Sequence, residues 1–354
     1  MKDAGMLMLA AVIAAVGGTL AWLVGLPLAW LVGAAIATAI FTLTVTTVAV
    51  PRPAYRLAQL VVGTSVGLTV SSDIAQRISW HLLAIPIGAG VSIGIGMLLT
   101  GPLTRWGAVD RVTAHFSMIP AGISEMADLS GKHGADVGAV ATFHAMRVML
   151  VVFLLPPLIF ALNGVATLVE TPDQGAWTLP LGIALGSAFL AGWGGSRIGL
   201  PSAWFLGPMA FVAILSGTGL VAASEPQVLL AVAQIALGLS LGARLKRETV
   251  RRLPRALTVG AALMIVHAAV MGGVALGLAL SVGAEPITMV LGLATGGSAE
   301  MVLTARAVGA DAAIVAAYQL TRGLLGNAFA ERLYRKRDDA RTIPEKRTRR
   351  DDDH

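Results

Sequence analysis

Polar and apolar positions in this chain alternate over long blocks rather than residue by residue. Apolar runs near the length that crosses about 30 Å of hydrocarbon as helix recur throughout, separated by short polar or Gly/Pro-containing joins. They lack the period-two alternation of a membrane barrel, so they read as helices. In the N-terminal half the pattern predicts helices near 5–24, 27–48, 54–72, 79–101 and 135–161, with a shorter segment at 112–131 interrupted by Pro120-Ala121-Gly122. In the C-terminal half the predicted helices lie near 179–197, 201–220, 228–244, 256–281 and 312–332, and the interrupted segment at 286–305 is broken by Gly296-Gly297. The first run follows Lys2 and resembles a signal peptide. It leads through Gly25-Leu26-Pro27 into a second run with no convincing cleavage site, so it is expected to be retained.

The two halves read as one unit written twice. Gly25-Leu26-Pro27-Leu28-Ala29-Trp30 reappears as Gly199-Leu200-Pro201-Ser202-Ala203-Trp204, a shift of 174. Ala58-Gln59 followed by Gly63, Ser65 and Gly67 reappears 175 residues later as Ala233-Gln234 followed by Gly238, Ser240 and Gly242. Glu125-Met126, Gly134-Ala135-Asp136 and Arg147 reappear in the same register as Glu300-Met301, Gly309-Ala310-Asp311 and Arg322. The organisation expected is a membrane repeat over 1–163, a linker over 164–177, a second repeat over 178–334 and a disordered cytosolic tail over 335–354.

Charge decides how the repeats are oriented. Six Lys/Arg lie between Arg244 and Arg255 and nine between Arg332 and Arg350, so the positive-inside rule places both groups in the cytoplasm. An even number of crossings must separate them, which makes one of the three intervening segments non-spanning. The interrupted one is the natural choice, because a re-entrant hairpin is tolerated where protein surrounds it. Each repeat then crosses five times and the second is inserted upside down. The fold class expected is an all-α polytopic membrane protein with two inverted five-helix repeats, about ten crossings; twelve crossings with parallel halves is the alternative.

Composition agrees: the 354 residues are 56% hydrophobic and 13% charged, with a mean hydropathy of +0.77. There is no cysteine, and the six histidines show no ligand spacing, so neither a metal nor another cofactor is expected. The net charge of +6 is accounted for by membrane orientation rather than by nucleic acid.

The candidate chemistry sits at the breaks. Gly122 and Gly297 permit strained backbone, Ser124 and Ser298 are candidate caps for the following half-helices, and Glu125 and Glu300 lie beside the freed amides. An ionisable group at the bilayer centre costs roughly 2.5 to 3.5 kcal/mol, so the glutamates are read as functional; the plain alternative is that they satisfy those amides. Arg147 and Arg322 lie 11 residues after Asp136 and Asp311, too far for a bridge within one helix. Glu125 and Glu300 are their expected partners, the aspartates are expected caps, and His144 and Gln319, one turn before each arginine, line the same face. Arg306 reads as a loop charge. Gly63-x-Ser65-x-Gly67 and Gly238-x-Ser240-x-Gly242 match a hydrolase elbow in pattern, but inside membrane helices they read as close-packing sites, with Gln59 and Gln234 bonding across the bundle. If those helices unwind, the same residues line the site.

These paired motifs and the duplication resemble the bacterial AbrB-type membrane protein family over about residues 5–335. Members carry labels of membrane regulators of gene expression or of ammonia monooxygenases, and are grouped with cation–proton antiporters and anion transporters. The grouping implies inverted five-helix repeats. The monooxygenase label fits poorly, since the histidines do not cluster. The function expected is a multi-pass secondary transporter of the bacterial inner membrane with cytoplasmic termini, moving a small organic anion with a proton or cation, and not an enzyme. Its partners would be the lipid bilayer and a small-molecule or ion substrate, with a homodimer compatible. A membrane regulator acting through a partner protein is the alternative.

Overall fold

In lipid a backbone amide without a partner costs several kcal/mol, so a chain of apolar blocks satisfies itself as helices. A computed structural model describes residues 2–70, 81–163, 175–200 and 202–351, and all regular structure among them is helical. The first repeat supplies α1 (Lys2–Leu23), α2 (Ala29–Thr44), α3 (Arg52–Leu68), α4 (Ala84–Gly107), α5 (Arg111–Met118), α6 (Ile123–Lys132) and α7 (Val137–Asn163). The second supplies α8 (Leu179–Arg197), α9 (Ala203–Gly217), α10 (Gln227–Gly242), the short α11 (Arg247–Arg252), α12 (Pro254–Val282), α13 (Pro286–Leu293), α14 (Ser298–Ala307) and α15 (Ala312–Asp351). Most of the expected 164–177 linker lies outside the described residues. The last helix runs into the segment that the charge pattern assigns to a tail.

This is a polytopic helical membrane protein. Among the described residues five helices are long and apolar enough to cross a membrane, and α2, α9 and α10 are shorter apolar helices. Large apolar side chains such as Leu83, Leu190 and Leu280 stand on the surface, as lipid contact requires and water would not favour. The predicted helix ending at 101 continues through Pro102 to Gly107. Its late carbonyl at Trp106 accepts from Arg255 Nε at 2.8 Å, a terminal acceptor satisfied from the other repeat.

The helices sort into two groups. In one, α1 packs on α2 and α8 on α9, while α2 packs on α10 and α3 on α9, so each repeat's second helix meets the other's third. Small residues make this approach possible. A Cβ on Gly238 would meet Leu31 O at 2.5 Å, and one on Gly242 would meet Ala35 O at 2.5 Å. Gly63 and Gly67 face the backbone at Phe205 and Met209 in the reciprocal contact. The elbow-like motifs are therefore close-packing sites within unbroken helices. In the other group α4 packs on α12 and α15, α7 on α5 and α6, and α15 on α13 and α14.

Ser92 and His267, counterparts at a shift of 175, hydrogen-bond to each other at 3.3 Å between α4 and α12. A residue can meet its own counterpart only on the axis that exchanges the repeats, so a pseudo-two-fold axis passes between them.

Both interrupted segments fold back. Asp110 caps α5 through Thr113 N at 2.8 Å, and Thr113 Oγ1 accepts from Asp136 N at 2.8 Å where the segment ends. In the second repeat Glu285 caps α13 through Thr288 N at 2.9 Å, and Thr288 Oγ1 accepts from Asp311 N at 3.0 Å. Each segment thus begins and ends at one level, as the ten-crossing count requires. Gly134 (φ 74°) and Gly309 (φ 72°) make the turns, because the left-handed backbone there would strain any side chain. Thr288→Val leaves the Asp311 N–H without its acceptor. It is expected to cost about 1 to 3 kcal/mol and to speed hydrogen exchange at that amide, measured by thermal unfolding and exchange mass spectrometry.

Candidate functional site

Each break leaves the last carbonyls of its first half-helix without helical partners, and the following long helix supplies them. In the first repeat His144 Nε2 bonds Phe116 O at 2.8 Å, and Arg147 donates to Ile119 O at 3.3 Å and to Ser117 O. A carbonyl only accepts, so His144 carries a proton on Nε2. In the second, Gln319 Nε2 donates to Leu291 O at 2.9 Å and Ala294 O at 2.9 Å. Arg322 donates to Ala294 O, to Gly296 O at 3.0 Å and to Gln319 Oε1 at 2.6 Å. The guanidiniums are enclosed, with Arg147 3% and Arg322 6% exposed, and lie close enough to feel each other's charge. They sit where the half-helix dipoles are negative, so carbonyls rather than carboxylates hold them. The expected pairing with Glu125 and Glu300 is corrected: no ion pair joins them among the described residues.

The glutamates do something else. Gly122 and Gly297, not the serines, are the N-caps of α6 and α14, and neither makes a side-chain cap bond. Ser298 is the first helical residue, and the Ser124 side chain lies outside the described set. A Cβ on either glycine would collide with Oε2 of Glu125 or Glu300, so each third-position glutamate folds back over its own helix start. The counterparts differ in access: Glu300 is 5% exposed, whereas Glu125 is exposed. Asp136 and Asp311 cap α7 and α15 as expected, through Ala139 N at 3.0 Å and Ile314 N at 3.1 Å.

One helix brings the breaks together. While Arg322 of α15 holds the second break, Asn327 Oδ1 accepts from Gly122 N at 3.2 Å and Gly326 faces Pro120 O in the first. Five residues of helix rise about 7.5 Å, so both breaks lie within that range along α15. Tyr55 and Ile123 flank a core cluster that contains Ala299 and Met301. The Tyr55 hydroxyl is within electrostatic reach of Arg244, Glu300 and Glu125.

The family model described as "Transition state regulatory protein AbrB" matches residues 30–337. The chain belongs to the AbrB family. It is 28% identical over 304 residues, 81% of this chain and 83% of the relative, to the Escherichia coli (strain K12) protein named "Putative regulator AbrB". It is 26% identical over 296 residues, 79% of this chain and 77% of the relative, to "Uncharacterized protein YhjN" of Bacillus subtilis (strain 168).

In this AbrB-family chain the remaining motif residues fall outside the breaks. Gln234 and Ser240 are buried on α10, Gln59 is half-buried on α3, and Gln234 Oε1 has no hydrogen-bond partner among the described residues. Ser65 Oγ donates to Glu225 Oε1 at 2.8 Å, which is not a nucleophile's setting. The same oxygen takes Arg306 Nη1 at 2.5 Å, so Arg306 is no loop charge. It ties α14 to α3 and to the segment before α10. Arg306 also lines an open vestibule of about 860 Å³ with His81, Glu285, Thr288 and Asp311. Glu300 sits six residues away on α14, about 9 Å along its axis. Sequence reasoning missed Tyr55, Glu225, Arg244 and Asn327. None has a like-typed counterpart at the repeat register, where Leu230, Val50, Thr69 and Val152 stand, so a search for paired motifs passes over them.

Proposed function

We propose that this AbrB-family protein is a secondary transporter that couples a proton or cation to a small organic anion by alternating access. The observation that carries the reading is the convergence of two symmetry-related, folded-back segments on one stretch of α15, each presenting a half-helix N-terminus and a glutamate. Positive dipole ends and interrupted backbone at depth make a site for charged cargo, and enclosing an ionisable group there is costly enough to need a task. The unequal access of Glu125 and Glu300 supports it further, because exchanging the conformations of two inverted repeats exchanges which glutamate is open. In this reading the chain is not an enzyme. It crosses the inner membrane ten times, with both termini on the cytoplasmic side marked by the Arg244–Arg255 loop.

Reconstituted into proteoliposomes under an inside-alkaline gradient, the protein is expected to accumulate radiolabelled lactate or succinate. Glu300→Gln should lower gradient-driven uptake by about tenfold or more and flatten its pH dependence. Uptake and pH dependence identical to wild type in that variant would sink the reading.

The regulator wording in the family description and in the Escherichia coli relative's name supports a second reading, in which the basic loop and tail contact a partner protein. Deleting 335–354 separates the two: a transporter keeps its flux, and a regulator loses its effect on expression.

A further inference from the structure

We infer that Arg244 and Tyr55 form the anion-recognition pair of this site, and that a substrate carboxylate takes the Arg244 guanidinium together with a proton on Glu300. The word substrate rests on the transporter reading; the binding event does not require transport.

Of the three guanidiniums near the breaks, two are committed. Arg147 and Arg322 are enclosed and donate to the carbonyls of their own hairpins. Arg244 follows α10 at the start of the basic loop, yet it is half-buried and lies over the Tyr55 ring at 5.1 Å from the centroid. A guanidinium carries five N–H donors, so one that lies over the Tyr55 ring and engages its hydroxyl keeps further donors for a carboxylate. Arg244 forms no ion pair among the described residues. Two carboxylates are within its electrostatic neighbourhood, Glu300 directly and Glu125 across Tyr55, and neither closes on it because each is folded back over its own helix start.

That arrangement dictates linkage. With both glutamates ionised, a third carboxylate arriving at Arg244 meets like charge. A proton on Glu300 removes part of that repulsion and leaves the Arg244 charge to the newcomer. Anion and proton therefore assist each other's binding by the same factor. Arg244 after α10 and Tyr55 from α3 act on Glu300, and Glu125 from α6 acts on Tyr55; among the elements packed against α14, α7 carries His144 and Arg147, α15 carries Arg322, and α13 carries no charged group. His144, Arg147 and Arg322 are bonded to carbonyls and Glu125 is exposed, which leaves the enclosed Glu300 as the group whose proton answers to the anion. The ligand class is a small carboxylate, and the coupling is cotransport with a proton rather than exchange for one.

The test uses purified full-length protein in detergent and weak buffer, with lactate and succinate as probes and chloride as the control anion. The probes are expected to raise the unfolding temperature, more at about pH 6 than at about pH 8, with about one proton taken up per anion bound. Glu300→Gln should keep the stabilisation and lose both the proton uptake and the pH dependence. Arg244→Gln should weaken binding about tenfold or more, and Arg244→Lys should restore only part, lacking the fork. Cooperative unfolding of each variant without probe guards against misfolding. The assignment is overturned if Arg244→Gln binds like wild type, if Glu300→Gln still takes up the proton, or if neither probe stabilises the protein. Binding with proton uptake but no flux in proteoliposomes removes the transporter reading and leaves this assignment standing. Flux indifferent to Arg244→Gln does the opposite.

Discussion

Arg322→Ala is expected to destabilise the protein by about 3 kcal/mol, the cost of stranding two or more enclosed acceptors at about 1 to 3 kcal/mol each. Its guanidinium serves Ala294 O, Gly296 O and Gln319 Oε1, and no water is at hand in a membrane interior to replace it. The sign discriminates between roles. If Arg322 were a vacant ligand cation, removing it would relieve the cost of burying a charge and raise stability. As the staple of a broken helix, its loss should lower the unfolding temperature and speed exchange across 294–298, and Arg322→Lys should recover only part because an ammonium lacks the fork. Unfolding of Arg322→Ala at the wild-type temperature would overturn the staple role. Glu300→Gln should leave stability near wild type, so the two variants separate scaffold from coupling at one break.

Gly238→Val should be comparably damaging at the interface between repeats. Its Cβ would lie 2.5 Å from Leu31 O and 2.8 Å from Ala34 Cβ, and backbone cannot step aside as a side chain can. The two helices must part, at about 1 to 3 kcal/mol for overpacking. Adding Gly242→Val, one turn on, should cost less than the sum, since one separation relieves both collisions. Ser240→Ala between them should leave stability and uptake unchanged, whereas a nucleophile's role would abolish activity. Folded yield and thermal unfolding in detergent read the glycine effect.

The arginines show where sequence reading stops. Depth and composition correctly marked Arg147 and Arg322 as buried charges needing partners, and the nearest opposite charges along the chain were Glu125 and Glu300. What decided otherwise is the reversal of each segment, which aims the C-terminal carbonyls of α5 and α13 at the following helix and turns each glutamate over its own N-terminus. Arg306 failed the opposite way: with no counterpart at its register it looked idle, yet it closes on Glu225 beside the vestibule. Arg244 was absorbed into a basic loop whose charge explained orientation, and its turn onto Tyr55 is invisible to a count of charges.

The sequence alone determined the membrane class, the duplication at a shift of 175, the two interrupted segments and the small-residue sites where helices approach. Those are local properties: hydropathy selects helix in lipid, glycine and proline break it, and a repeated gene segment repeats its motifs. Tertiary structure alone decided that both breaks meet within a few residues of α15, that carbonyls hold the arginines, and that Tyr55 and Arg244 stand beside the glutamates. Those depend on how two copies pack about an axis through Ser92 and His267, and residues on opposite sides of that axis lie far apart in sequence however close they come in space.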